Sequence, residues 1–242
     1  MKAIEVTDLT RDYKDVRAVD HISFDVAPGE IFGFLGPNGA GKTTTIKMLT
    51  GQLRPSAGSA KVAGWDIILD RDQLKPRIGV VFEHQNIYER LSGYDNLLFS
   101  TRLYGVDKER IHQVLDQVGL EDASNKLVSK YSNGMKQRLL IARALLHKPE
   151  VIFLDEPTKG LDPGVARAIR KIITELSRKG VTIFLTTHYM EEADQLSNRV
   201  AIIDRGKIIA LSTPGQLKVQ TGGKGSTLED VFIKLTGKDL YR

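Results

Sequence analysis

The 242-residue chain contains no cysteine. Disulfide frameworks, thiolate nucleophiles and cysteine-type zinc sites are therefore excluded, and a reducing compartment is compatible with the composition. Charge of one sign is not in excess either: 35 Lys and Arg stand against 30 Asp and Glu, a net +5 spread along the chain rather than gathered in one run. That balance gives nucleic acid little to hold, and no nucleic-acid partner is expected. Long apolar runs are also missing; the densest, such as 151–154, have the length of a buried strand and fall far short of the roughly 18 residues that cross a bilayer. Residues 1–8 alternate apolar and polar types, as a strand does and a secretory signal does not. What is present, 41% hydrophobic residues, 27% charged, 22 glycines and 8 prolines, describes a folded chain with enough length for one large core and a smaller subdomain.

Short β-branched runs at 31–35, 79–82, 151–154, 181–186 and 200–203 alternate with longer helix-patterned stretches. This rhythm predicts an α/β fold with parallel strands and crossover helices. Residues 1–28 read instead as short strands around a turn near 12–15, an antiparallel edge or subdomain. Between 92 and 147 the strand signal disappears, and 94–104, 108–118 and 135–147 read as helices inserted into the fold. Near the end, TGGKGS at 221–226 reads as a flexible linker before an apolar-periodic helix at 227–235. The expected division is a nucleotide-binding core with its β subdomain at 1–91 and 148–220, a helical subdomain at 92–147, and a linker and helix at 221–242.

The strongest motif is Gly36, Pro37, Asn38, Gly39, Ala40, Gly41, Lys42 and Thr43, a full G-x-x-x-x-G-K-[ST] between an apolar strand run and the helix pattern opening at Thr44. Glycines there let backbone N–H groups wrap a polyphosphate, and the following helix turns its positive dipole end to the same anion. Lys42 would reach the β- and γ-phosphates, and Thr43 would offer a hydroxyl to Mg²⁺. A second element, Val151, Ile152, Phe153 and Leu154 followed by Asp155 and Glu156, puts two carboxylates at the carboxyl end of a buried strand, the edge where open parallel sheets bind ligands. Asp155 suits the Mg²⁺ hydration shell. Glu156 is placed to orient or deprotonate a water attacking the γ-phosphate.

Upstream of that acidic strand stand Tyr131, Ser132, Asn133, Gly134 and Met135. With the two motifs above, they make the chain resemble, over nearly its whole length, the ATP-binding subunit of an ABC transporter. The resemblance implies a P-loop NTPase (RecA-like) core carrying an N-terminal antiparallel β subdomain and an inserted α-helical subdomain. It also implies that Ser132 and Gly134 open a helix whose N-terminus caps the γ-phosphate held by a second copy of the chain. YSNGM departs from the usual LSGGQ at the leucine, the first glycine and the glutamine, but keeps that serine and glycine. Read by themselves, these residues are equally a plain helix N-cap.

The same resemblance assigns Tyr13 as an aromatic stacking on adenine, against the alternative of a core tyrosine. His188, at the end of the run 181–187, becomes a γ-phosphate hydrogen-bond partner, against a structural histidine. Gly160, Leu161 and Asp162 look like the loop joining the two active sites, although Asp162 serves equally as an N-cap before Pro163. Where the family places a glutamine after the strand run ending at Phe82, this chain has Glu83, with Gln85 two residues on. A glutamate is ionised at pH 7 and would act there as a metal ligand or as an electrostatic penalty.

The expected partners are a second copy of the chain, closed around ATP, and a separate transmembrane permease. The permease would bind near Ile87, Tyr88 and Leu91, with the ATPase peripheral at the cytoplasmic face of the membrane. The segment LEDVFIKLTG, from Leu228 to Gly237, resembles the tail of drug, sodium and polysaccharide exporter subunits of the ABC-2 type. A soluble ABC ATPase working with a cytoplasmic assembly complex is the alternative.

Overall fold

The computed structural model describes residues 1–83, 86–223 and 225–237. Along the chain, β1 (Ile4–Tyr13) and β2 (Val16–Val26) are followed by β3 (Ile31–Leu35), α1 (Lys42–Leu49), β4 (Ala57–Val62), β5 (Trp65–Asp66), α2 (Arg71–Leu74) and β6 (Ile78–Val81). Three helices come next with no strand between them: α3 (Gly93–Tyr104), α4 (Glu109–Gln117) and α5 (Asn133–Leu145). The chain continues through β7 (Val151–Asp155), α6 (Pro163–Arg178), β8 (Thr182–Thr187), α7 (Met190–Leu196), β9 (Arg199–Asp204), β10 (Lys207–Ser212), α8 (Pro214–Leu217) and α9 (Leu228–Thr236).

Two sheets result. One has the order β2-β1-β4-β5 and is antiparallel; the other has the order β10-β9-β3-β8-β7-β6 and is parallel except for β10. Every residue of β3, β7 and β8 is buried, because helices or the first sheet cover both faces of the second. The two-residue period still sorts the side chains. Ile152, Leu154, Ile183 and Leu185 join the helices α4, α5 and α6, while Val151, Phe153 and Phe184 face the antiparallel sheet. Phe24 of β2 stacks on Phe32 of β3 with ring centroids 5.3 Å apart, and Phe184 lies 5.8 Å from Phe32, so an aromatic layer joins the sheets. A third cluster seats α8 and α9 against α7, Leu35, Val200 and Ile202.

Several local expectations change. The runs β4, β5 and β10 carry no alternating apolar signal: β4 reads AGSAKV and only two of its six residues are buried. The antiparallel part therefore continues well past residue 28. Thr221 and Gly222 close a π-type helical turn over Lys218–Gly222 rather than starting a linker, and Lys224 lies outside the described residues. Thr227 is the N-cap of α9, with a reciprocal capping box to Asp230. Ile87 packs against the helical core, whereas Tyr88 is exposed.

Candidate functional site

The parallel strands β3, β7 and β8 end side by side, so their following loops converge at one sheet edge. The loop after β3 is the glycine-rich one. A Cβ at residue 36 would lie 2.2 Å from the carbonyl oxygen of Ile203, and one at residue 41 would lie 2.5 Å from that of Ala18, with Gly41 at φ 108. Glycine is thus required at both positions by backbone on the facing strands. The loop hands the chain to α1, whose first residue, Lys42, is buried. Its ammonium donates to the carbonyls of Gly36 at 2.7 Å and Pro37 at 3.1 Å and pairs with Glu156 Oε1 at 3.1 Å.

At the end of β7 the two adjacent carboxylates have separate environments. Asp155 is buried and accepts from two hydroxyls, Thr43 Oγ1 at 2.8 Å and Thr186 Oγ1 at 2.6 Å. Glu156 is also buried, has φ 52, and receives His188 Nδ1 on Oε2 at 2.5 Å. Its own N–H donates to the carbonyl of Thr186 at 3.1 Å. A positive φ in a residue with a side chain is strained, and here β8 holds it in place. Just beyond, Thr158 Oγ1 donates to Glu192 Oε1 at 2.6 Å inside the protein, while Glu192 Oε2 has no partner. Burial pushes the Glu192 carboxyl up from its ordinary range, against the lowering effect of the Thr158 hydroxyl.

A cavity of about 160 Å³ opens over this edge, lined by Pro37, Gly39, Lys42 and Thr43 of the loop and by Glu83 and Glu156. The structure thus brings Lys42, Thr43, Asp155, Glu156, His188 and Glu83 together. It brings Glu83 there with a partner that sequence reasoning missed: Lys159 Nζ lies 2.7 Å from Glu83 Oε1. The traceable signal was an extra cation three residues after Glu156, matching an extra carboxylate at 83. Thr186, Thr158 and Glu192 were missed because hydroxyls and a lone helix glutamate carry no motif. Gln85 lies outside the described residues.

Tyr13 is not a core residue. It ends β1 half-exposed, with the Arg11 guanidinium 4.6 Å above its ring centroid, and it is not part of the phosphate-loop cavity. Ser132 and Gly134 are likewise outside that cavity, at the start of α5. Ser132 Oγ accepts from the Met135 N–H at 3.2 Å, so the capping role is real. Gly134 has a packing reason for its identity: a Cβ there would lie 2.2 Å from Cγ1 of Val165 on α6. Asp162 occupies the N-cap position of α6 ahead of Pro163, but its side chain makes no capping bond.

The hard oxygen donors Thr43 and Asp155 fit Mg²⁺, which binds through one or two protein oxygens with phosphate and water completing its shell. No group of three or more His, Asp or Glu side chains placed to hold a metal ion occurs among the described residues. A parallel sheet with a glycine loop, a buried lysine and paired carboxylates at one edge defines a phosphate-loop nucleotide hydrolase.

The family model described as ABC transporter matches residues 19–159, and the chain belongs to that family. It is one of the family's ATP-binding, ATP-hydrolysing cassettes. Among curated relatives, the daunorubicin/doxorubicin resistance ATP-binding protein DrrA of Streptomyces peucetius is 43% identical over 225 residues, covering 91% of this chain and 68% of that protein. The bacitracin transport ATP-binding protein BcrA of Bacillus licheniformis is 44% identical, over 85% of this chain and 68% of its own length. A fluoroquinolones export ATP-binding protein of Mycobacterium tuberculosis is 48% identical, over 90% of this chain and 73% of its own. A solved ATP-binding subunit of an ABC transporter superposes with TM-score 0.86 at 28% identity, covering 97% of this chain and 99% of that one.

Proposed function

We propose that the chain powers export: two copies close around ATP at the cytoplasmic face of the membrane and drive a separate permease. The observation that carries this reading is the composition of the phosphate-loop cavity, which holds Lys42, Thr43 and Glu156 but neither Ser132 nor Gly134. In this reading one chain offers two half-sites, and a second copy would complete each. Export is supported by the names of the relatives above, which concern resistance to or transport of antibiotics and antitumour compounds. The transported substrate would be a compound of that class.

In the hydrolytic step Lys42 binds the β- and γ-phosphates and Tyr13 stacks on the base. Glu156 accepts the proton of the attacking water, and His188 fixes the direction of that carboxylate through Nδ1 and meets the γ-phosphate. Thr43, Asp155 and Glu83 are the groups facing the metal side; Mg²⁺, when bound there, offsets phosphate charge. We read residues 1–91 and 148–220 as the nucleotide-binding core, 92–147 as the signature subdomain and 221–242 as the tail.

A permease would engage a groove of about 770 Å³ between β6 and the helices, flanked by Ile78, Val80, Tyr88, Phe99, Leu103 and Tyr104. Phe99 is 56% and Leu103 74% exposed, an apolar patch suited to a short cytoplasmic helix. No helix among the described residues is long and apolar enough to cross a membrane. The test is purification from native membranes in mild detergent. Co-purification of a polytopic protein, lost on Phe99→Asp with Leu103→Asp, is expected; ATPase activity recovered only from a cytoplasmic complex would refute the proposal and favour an assembly role.

A further inference from the structure

The nucleotide edge carries three carboxylates, and each has its own compensation. Asp155 is held by the hydroxyls of Thr43 and Thr186, Glu156 is paired with Lys42, and Glu83 is paired with Lys159. Lys159 belongs to a tight turn directly after the catalytic strand: its N–H donates to the carbonyl of Glu156 at 3.2 Å, and the Leu161 N–H donates to that of Thr158 at 3.2 Å. The buried bond from Thr158 to Glu192 pins this turn to α7. The backbone that carries Lys159 is therefore fixed relative to Glu156, and its side chain crosses to the segment after β6.

The pair contributes little to folding. Its two side chains are 35% and 40% exposed, and ion pairs of that exposure rarely stabilise a fold measurably. Its location matters more, since Glu83 lines the same cavity as Lys42 and Thr43. A carboxylate in that lining repels a triphosphate unless its charge is cancelled nearby. An ordinary lysine is an ammonium at neutral pH, so the contact sets a cation against that carboxylate.

We propose that Lys159 is a positioning residue of the nucleotide site: it holds the Glu83 carboxylate and cancels its charge, allowing the cavity to accept a triphosphate. The proposal rests on the reading of this cavity as the ATP site. It makes the two residues interdependent, so that Lys159 matters because residue 83 is acidic.

The experiment is titration of the full chain with a fluorescent ATP analogue in excess EDTA, which removes metal from the comparison. Lys159→Ala is expected to weaken binding roughly tenfold, while the same replacement made in a Glu83→Gln background changes it by less than about twofold. Lys159→Arg is expected to keep the parent affinity, and all variants to keep the parent melting temperature within about 2 °C. An equal loss in both backgrounds would mean that Lys159 meets the phosphates directly, and no loss in either would mean that the pair is idle; each result overturns the proposal. Lys42→Ala separates the two levels: if it leaves the analogue bound at parent affinity, the ATP-site reading fails regardless of Lys159.

Discussion

The buried ammonium of Lys42 lies 3.1 Å from one carboxylate oxygen of Glu156, whose other oxygen meets His188 at 2.5 Å. Lys42 and Glu156, the proposed phosphate-binding cation and water-activating base, are thus a single hydrogen-bonded unit, and replacing either disturbs both. Glu156→Gln is the mildest break, because the amide keeps an acceptor for Lys42 while losing basicity. It is expected to slow hydrolysis by roughly a hundred to ten-thousandfold, about 3 to 5 kcal/mol of barrier, with ATP still bound. Single-turnover rates and size-exclusion chromatography at saturating ATP and Mg²⁺ provide the check. A variant that stays monomeric under those conditions would contradict closure of two copies around the nucleotide.

Gly134 has two possible reasons to be glycine, and they predict different double mutants. A Cβ at 134 would fall 2.2 Å from Val165 Cγ1, so Gly134→Ala forces α5 and α6 apart. Overpacking of this kind is expected to destabilise by roughly 1 to 3 kcal/mol in urea unfolding. Gly134→Ala combined with Val165→Ala removes the clash and is expected to recover most of that loss. If the recovered protein hydrolyses ATP like the parent, Gly134 is there for packing alone; if hydrolysis stays low, the glycine is also needed by the partner copy's phosphate.

The elements legible in the sequence were those with strong periodicity or a motif. The strand runs at 31–35 and 151–154 could be read because both faces of the parallel sheet are covered, and the alternation at 1–8, which falls on the first part of Ile4–Tyr13, because one face is. Strand Ala57–Val62 was not, since it borrows its order from pairing with Ile4–Tyr13 rather than from its own side chains. At the site, Lys42, Asp155 and Glu156 were legible through spacing. The contact between Lys159 and Glu83 was not, because it joins residues 76 positions apart through tertiary packing alone.

Glu192 gives a pH signature. Its side chain is buried, and desolvation raises its pKa above 4.5, outweighing the Thr158 and Thr187 hydroxyls and the Arg170 charge. The stabilisation tied to its protonated form is complete below 4.5 and is lost as pH rises through the raised folded value. Above that range the parent bears a titration penalty that a neutral side chain does not, and Glu192→Gln removes it. The variant is expected to be more stable than the parent at pH 7.5 by roughly 1 kcal/mol, with the gap closing as pH approaches 4.5. Melting temperatures across that range test it; a gap that widens on acidification would mean that the carboxylate is stabilised by its surroundings.

The helix α9 packs on α7, which begins just after His188. Leu228, Val231 and Phe232 are buried against Met190 and Ala193, and Met190 begins α7 two residues after His188. Phe232→Ala opens a void under α7 and is expected to destabilise by roughly 3 to 5 kcal/mol. Thr227→Ala removes the capping box while leaving that contact intact, and is expected to remove about 1 kcal/mol. If α9 supports His188 through α7, Phe232→Ala lowers the hydrolysis rate at a temperature where the fold is still fully populated, while ATP affinity, set mainly by the loop at Lys42, holds. Thr227→Ala then leaves the rate near that of the parent. Equal rate losses in both variants, scaling only with stability, would show that α9 secures the fold without influencing the orientation of the histidine.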